Sequence, residues 1–305
     1  MLIAYVGNFT QSHCTEVHLA ATLEDLGHIV TRFQEDDPKT RFELRNQVRG
    51  HDMLLWTRTW PGMVDPRGLG VPTVSYHLDL YVGIKRQDGL DNDPFWRTDF
   101  VFTPDGDPRS AEIFKFKGIN HFYMPPGVYK PECYKGTPRP EFACDVLFVG
   151  GGIGYHTEDW PYRAHLVTWL RNTYGPRYKK FGNPEPTIRN AALNDLYASA
   201  KVVVGDSLCT NFTHERYWSD RVTETTGRGG FLIHPHIVGL EDEFEPNKEM
   251  VFYSYGDFGQ LKELIDYYVE HDDERETIRD AGHVRTKDTH TYNDRLAQMM
   301  ATVFP

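Results

Sequence analysis

The run Arg216-Tyr217-Trp218-Ser219-Asp220-Arg221-Val222-Thr223-Glu224 collects residue types that suit a nucleoside diphosphate. Ser219 is a good helix N-cap, and a cap there would aim the free N–H groups of a first helical turn at a bound diphosphate. Arg221 adds positive charge beside those groups. Glu224 stands about one turn further in, where a carboxylate accepts two ribose hydroxyls. An ordinary helix with a salt bridge at Arg221 is an equally good reading of the same residues.

A second candidate is the glycine run Gly150-Gly151-Gly152-Ile153-Gly154, which follows an apolar stretch. It fails the Gly-x-Gly-x-x-Gly spacing of a dinucleotide fingerprint, because the sixth residue from Gly150 is Tyr155 and from Gly152 is Thr157. What remains is a loop without side chains, where backbone can approach a ligand, or a plain strand-to-helix turn. Arg163, in the helix expected next, would reach an anion held by that loop unless it is an exposed helix arginine. His77 and Asp79 follow the apolar stretch at 71–76, at the rim where open α/β sheets bind ligands. A lone rim histidine is most often a solvated side chain. Asp105-Gly106-Asp107 resembles a metal-binding pair but lies between Pro104 and Pro108, where turn chemistry accounts for it, so no metal site is assigned. Arg41, Arg45 and Arg49 recur every four residues and share a helix face; a solvated face is the stronger reading, a grip on a phosphate-bearing acceptor the weaker.

The elements that must position these residues alternate regularly. Strands are expected at 2–6, 28–33, 53–56, 71–76, 100–103 and 121–124, with a helix at 15–26 closed by Gly27. Residues 129–142 hold three prolines and little periodicity, and read as an interdomain linker. The pattern then restarts, with strands near 145–149, 179–181, 201–204 and 230–233. Helices are expected near 161–174, 189–199, 219–226 and 259–271, and one after residue 291. Two such halves predict an α/β protein of two doubly wound, Rossmann-like domains facing a cleft.

Composition narrows the function. Among 305 residues, 33 Lys and Arg face 44 Asp and Glu, a net charge of −11 that opposes general binding to nucleic acid or anionic membranes. No apolar run approaches the ~20 residues of a membrane span, and the first residues lack the basic start of a signal peptide. Cys14, Cys133, Cys144 and Cys209 are far apart, which suits reduced thiols and a cytoplasmic location better than disulfides or zinc.

The carboxyl-terminal half resembles the CgeB-like (spore maturation protein type) glycosyltransferases, within the group 1/family 4-like enzymes of GT-B fold. The resemblance is carried by Leu193-Asn194-Asp195-Leu196-Tyr197-Ala198-Ser199-Ala200, by Arg221-Val222-Thr223-Glu224 with Gly227, and by Gly239-Leu240-Glu241-Asp242-Glu243-Phe244. Further matches are Glu249-Met250-Val251-Phe252-Tyr253, Glu274-Arg275, Ala281-Gly282, His290-Thr291-Tyr292 and Arg295. In the amino-terminal half only the layout and the His77-x-Asp79 element match.

The resemblance implies an acceptor-side domain at 1–128, a linker at 129–142, a donor-binding domain at 143–288 and a final helix at 289–305 packing back on the first domain. It implies a metal-independent, retaining, hexosyltransferase-type enzyme that uses a nucleoside-diphosphate sugar, with UDP as the expected carrier, and needs no resident cofactor. The donor would be bound by Gly150, Gly151, Gly152, Arg163, Arg216, Tyr217, Trp218, Ser219, Arg221 and Glu224, the last at the family's ribose-binding Glu. The first Glu of the family's Glu-x7-Glu pattern falls on Arg216, with Glu215 one place away. His77 and Asp79 would serve catalysis, and Gly7, Asn8 and His13 the acceptor side. Glycan, protein, metabolite and modified nucleobase are all open as acceptors, the last being the one way nucleic acid enters. Two other functions stay open: a sugar-nucleotide hydrolase or epimerase, and a catalytically silent nucleotide-sugar-binding protein.

Overall fold

Short apolar runs such as Leu54-Leu55-Trp56 and Val146-Leu147-Phe148-Val149 become strands because each is covered on both faces, the pattern of a parallel sheet. The computed structural model describes residues 1–60, 64–151, 160–207 and 214–305, without the side chains of Lys85 and Arg86. It divides into one unit of Met1–Pro125 with Tyr292–Pro305 and a second of Pro126–Thr291.

The first unit runs β1 (Leu2–Gly7), α1 (Thr15–Asp25), β2 (Ile29–Gln34), α2 (Pro38–Gln47), β3 (Met53–Trp56), β4 (Thr73–Tyr76), β5 (Phe100–Thr103), α3 (Pro108–Phe116) and β6 (His121–Tyr123). The strands form one parallel sheet in the order β2-β1-β3-β4-β5-β6. Helix starts are set by Asp-Pro pairs. The Asp37 carboxylate accepts from the Lys39 N–H and Asp107 from the Arg109 N–H, each followed by a proline at the first helical position. Asp107 is thus a cap, while Asp105 accepts the Tyr81 and Val82 amides and anchors the chain leaving β4. Trp56, Phe95, Trp96 and Phe114 fill the core on one side of the sheet. The chain returns to this unit at Tyr292, and its last helix packs on α1.

The second unit contains β7 (Cys144–Val149), α4 (Pro161–Tyr174), β8 (Tyr178–Phe181), α5 (Ala191–Ser199), β9 (Ala200–Val204), α6 (Arg221–Gly227), β10 (Leu232–Pro235), β11 (Val251–Tyr253), α7 (Phe258–Glu270) and α8 (Asp272–Thr289). The helix of the first unit at Tyr292–Val303 is α9. The second sheet is also parallel, ordered β11-β10-β9-β7-β8, over a core that includes Phe148, Leu166, Val202 and Ile233. Residues 129–142 lie against α5. The Asn194 Nδ2 donates to the Glu132 and Tyr134 carbonyls, and a Cβ on Gly136 would stand 2.4 Å from the Asp195 nitrogen. Both sheets, with α-helices between most successive strands, match the expected Rossmann-like pair. Among the described residues no helix is long and apolar enough to cross a membrane. Burial pushes the Cys133 thiol up to about 12 and the Cys144 thiol up to about 11, so neither is a reactive thiolate near neutrality; Cys209 lies outside the described residues.

Candidate functional site: the carboxyl edges of the two sheets

In the second unit, β7 ends at Val149, and the glycines follow at once. The Arg221 guanidinium folds over that end and donates from Nη1 to the Val149 carbonyl at 2.5 Å. Position 150 has to be glycine for this arrangement, since a Cβ there would lie 2.9 Å from Arg221 Nη1 and 3.1 Å from the Phe148 ring. Gly182, at the end of β8 with φ +100°, approaches equally closely: a Cβ on it would sit 2.6 Å from the Gly150 oxygen. Gly151 continues the loop, and Gly152 and the glycine at 154 lie outside the described residues. Burial works against the Arg221 charge, but Asp220, Glu224 and Asp206 together hold it above the ordinary guanidinium value. The Arg221 Nε–H is buried and donates to no described group.

Arg163 is neither an exposed arginine nor a spare cation. Its Nε lies 2.9 Å from Asp206 Oδ2 and its Nη2 3.0 Å from Oδ1, with both side chains only 2% exposed. Asp206 follows β9, so this pair clamps α4 to the end of that strand. The next residue, Ser207, accepts the Ser219 N–H at 2.9 Å and lies 3.1 Å from His234 Nε2. His234 Nδ1 is 2.7 Å from the Pro235 carbonyl, an acceptor, so Nδ1 carries the proton and Nε2 accepts from the Ser207 hydroxyl. Burial lowers the His234 pKa to about 4, which keeps it neutral in that role.

Ser219 does not cap the helix as expected. Asp220 occupies the N-cap position, without a side-chain cap bond, because Ser219 is held by Ser207 and points its Oγ at the Asp206 carbonyl. Tyr217 and Trp218 are buried and anchor the approach to α6. Arg216 is exposed, sits at φ +54° and pairs with Asp242 at 3.0 Å. Glu224 lies 3.8 Å from Arg228, whose guanidinium also holds Asn194 Oδ1 and Glu132. Burial and then Asp220 raise the Glu224 pKa, while Arg228 and Arg221 pull it back. Gly150, Arg221 and Glu224 are therefore neighbours through one guanidinium, with Arg163 and Ser219 behind them.

In the first unit, His77 follows β4 and its ring stands edge-on to Tyr81, Phe95 and Trp96 at 5.3, 5.9 and 5.8 Å. It is only 7% exposed, whereas Asp79 is exposed. Arg58 lies over the same aromatic group and pairs with Asp93. After β1, Asn8 accepts from Thr10 N and Oγ1, and His13 is exposed.

Two residues here were not anticipated. Glu16 packs under Gly7, where a Cβ would lie 2.6 Å from Glu16 Cγ, and Thr59 Oγ1 approaches its carboxyl at 3.5 Å. Glu35 is fully buried and accepts from Trp56 Nε1, Thr59 N and Trp60 N. Burial first, then Glu35, raises the Glu16 pKa to about 7. Asp206, Ser207 and His234 were equally missed; the Gly205-Asp206-Ser207 run just past a strand is the signal that marks the first two.

Two parallel Rossmann-like sheets in one chain are the GT-B architecture. Solved structures of this fold align over the full length. An α-glucosyltransferase held with UDP-glucose and DNA containing an abasic site matches at TM-score 0.68, 12% identity and 100% of both chains. Anabaena Alr3699/HepE in complex with UDP and glucose matches at 0.62 and 12%, over 99% of this chain and 100% of its own. A glycosyltransferase from Rickettsia africae ESF-5 gives 0.62 and 10%, over 99% and 97%. In sequence, residues 163–301 match the family described as glycosyl transferase-like. No curated protein matches the chain.

Proposed function

We propose that the protein transfers a hexose from a UDP-sugar to a hydroxyl of an acceptor, as a CgeB-like, cytoplasmic glycosyltransferase. The observation that carries this is Arg221: a half-buried arginine at the carboxyl end of β7, beside Gly150, with a buried Nε–H that donates to no described group. Such a donor in a parallel α/β sheet suits an anionic ligand at the strand ends. The UDP and UDP-glucose held by the α-glucosyltransferase and the Anabaena protein support a uridine diphosphate as that ligand.

In this reading the transition state is oxocarbenium-like, and negative charge grows on the departing diphosphate. Arg221 and the backbone N–H of Gly151 meet that charge, each well-placed donor lowering the barrier by a few kcal/mol, while Gly150, whose own N–H is held by the Phe181 carbonyl, keeps the approach free of a side chain. Arg163 acts through Asp206 as a positioning residue. Glu224 takes the ribose hydroxyls, and the Arg216 to Ser219 segment closes the donor side. The positive charge comes from the protein, so transfer proceeds without added metal; retention at the anomeric carbon rests on the resemblance to the family 4-like enzymes alone. His77 and Asp79 orient the reacting groups, and Gly7, Asn8 and His13 belong to the acceptor side in the first unit, reached from a donor domain at 143–288. Among glycan, protein, metabolite and modified-nucleobase acceptors, an α-glucosyltransferase of this fold held with UDP and a 13-mer DNA containing an HMU base favours a modified nucleobase as the first to try.

A thermal-shift screen with nucleoside diphosphates and nucleotide sugars, in chelator, tests the donor half. Stabilisation by UDP and UDP-sugars is expected, and a flat response across the series would refute it. Turnover then separates the alternatives: product with acceptor supports transfer, free sugar without acceptor supports a hydrolase, and binding without turnover supports a silent binding protein.

A further inference from the structure

A cavity of about 540 Å³ opens at the other edge of the first sheet, against Thr73 and Phe100 at the starts of β4 and β5. His77 lies at the opposite end of β4, about 13 Å of strand away. The cavity is within the size range of small-molecule sites. Its wall is the turn Arg67-Gly68-Leu69-Gly70-Val71, in which Gly68 (φ +66°) and Gly70 (φ +80°) take a left-handed backbone. The N–H groups of residues 68–71 donate to no described group. Turns that alternate hand and present successive amides form anion-binding concavities.

Arginines complete the wall. Arg67 lines it and pairs with Asp65 at 2.6 Å. Arg97 lines it too, braced by bonds to the Leu90 and Asp91 carbonyls. Arg45 reaches over from α2, its Nη2 3.2 Å from the place of a Cβ on Gly68. Among the described residues, neither Arg45 nor Arg97 has a carboxylate within ion-pair distance. Asp99, the acid in the wall, is held to the strand through Oδ2, which accepts from Thr73 N and Oγ1 at 2.8 Å. The helical arginine stripe seen in the sequence therefore brings Arg45 beside Gly68, a residue of the cavity wall.

We propose that this cavity binds the phosphate monoester of a small metabolite, such as a sugar phosphate, at a site separate from the donor site. A tetrahedral dianion takes several donors from different directions, and the amides of residues 68–71 with the Arg67 and Arg97 guanidiniums supply them, Arg45 adding positive charge beside Gly68. A polyanion fits less well, because it must approach a chain of net charge −11 and enter a pocket sized for one small ligand.

The test uses the full chain, labelled with nitrogen-15, titrated with glucose 6-phosphate and with inorganic phosphate against sodium chloride of matched ionic strength. Saturable shifts at the Gly68 and Gly70 amides are expected at millimolar ligand. Arg45→Gln with Arg67→Gln should weaken binding at least tenfold, while Asp65→Asn, which releases Arg67, should tighten it severalfold. All three side chains are exposed, so the fold should survive. Shifts reproduced by chloride, unchanged affinity in both variants, or tighter engagement of the same amides by a single-stranded oligonucleotide would each overturn the proposal. UDP-glucose binding measured in parallel should not change, which keeps this result independent of the donor assignment.

Discussion

Replacing Arg221 by alanine tests the donor site at its most exacting point. The side chain makes one described hydrogen bond, from Nη1 to the Val149 carbonyl, and its Nε–H is left for a ligand. A hydrogen bond to a charged partner contributes roughly 1.5–3 kcal/mol. Its loss should therefore raise the Kd for UDP about 10- to 150-fold. Stability should change less. Glu224 keeps Arg228 at 3.8 Å, so the variant loses a cation near that carboxyl but does not strand it. A cost of about 1–2 kcal/mol is the ordinary scale for such a change. Titration calorimetry with UDP, UDP-glucose and uridine separates phosphate binding from base binding. UDP and UDP-glucose should weaken together while uridine stays within about twofold, and Arg221→Lys should fall between, since one ammonium cannot replace a planar fork. Unchanged UDP affinity in a folded Arg221→Ala protein, or equal losses for UDP and uridine, would refute the placement of the diphosphate.

Gly150→Ala should reproduce much of that loss by pushing the guanidinium away, because the new Cβ would meet Nη1 at 2.9 Å. In an Arg221→Ala background it should add little, and a double-mutant cycle on UDP affinity reads the coupling. Arg163→Met leaves Asp206 buried without its cation and should cost about 3–5 kcal/mol in urea unfolding, whereas Arg163→Met with Asp206→Leu should recover most of it. Additive losses in that pair would contradict a buried ion pair. Glu16 binds its proton more tightly folded, at about 7, than its ordinary 4.5. The folded state therefore loses up to about 3 kcal/mol of relative stability as pH rises from 4.5 to 7, and Glu16→Gln should flatten that slope. A wild-type curve that rises over the same window would mean that Glu16 ionises normally.

The sheets were legible because most strands are short apolar runs with a glycine or proline near an end. The boundaries slipped where a turn intervened: the strand expected at 230–233 is Leu232–Pro235, since the Gly229 and Gly230 amides bond back to Thr226 and Thr225 of α6. Helix α8 escaped notice because its buried face carries Arg275, Arg279, Gly282 and Thr286 beside one large apolar residue, Ile278. Those arginines are buried by donating to backbone carbonyls of Tyr268, Ala200 and Lys201, a pattern that hydrophobic periodicity cannot register. Glu16 was hidden for a different reason. An acid in the first turn of a helix is what the helix dipole favours, so nothing in the sequence separates it from an ordinary solvated one. Gly150 and Arg221 were both singled out, yet only the fold reveals that one residue is glycine because of the other.

One set of buried polar groups in the second unit gathers at the carboxyl edge of its sheet, and its members depend on each other in order. Arg163 fixes Asp206 at the end of β9, and the Asp206-Ser207 turn then offers a carbonyl and a hydroxyl to Ser219. His234, neutral because it is buried, holds that hydroxyl from β10. With Ser219 pinned, α6 begins at Arg221, and its first side chain reaches the end of β7. A buried ion pair is a weak source of net stability, since desolvation offsets most of the attraction. A well-packed apolar pair would hold α4 to β9 as firmly, but it would not orient a turn whose carbonyl and hydroxyl must both face α6. The direction of these hydrogen bonds, more than their strength, is what places one guanidinium over the carboxyl end of β7.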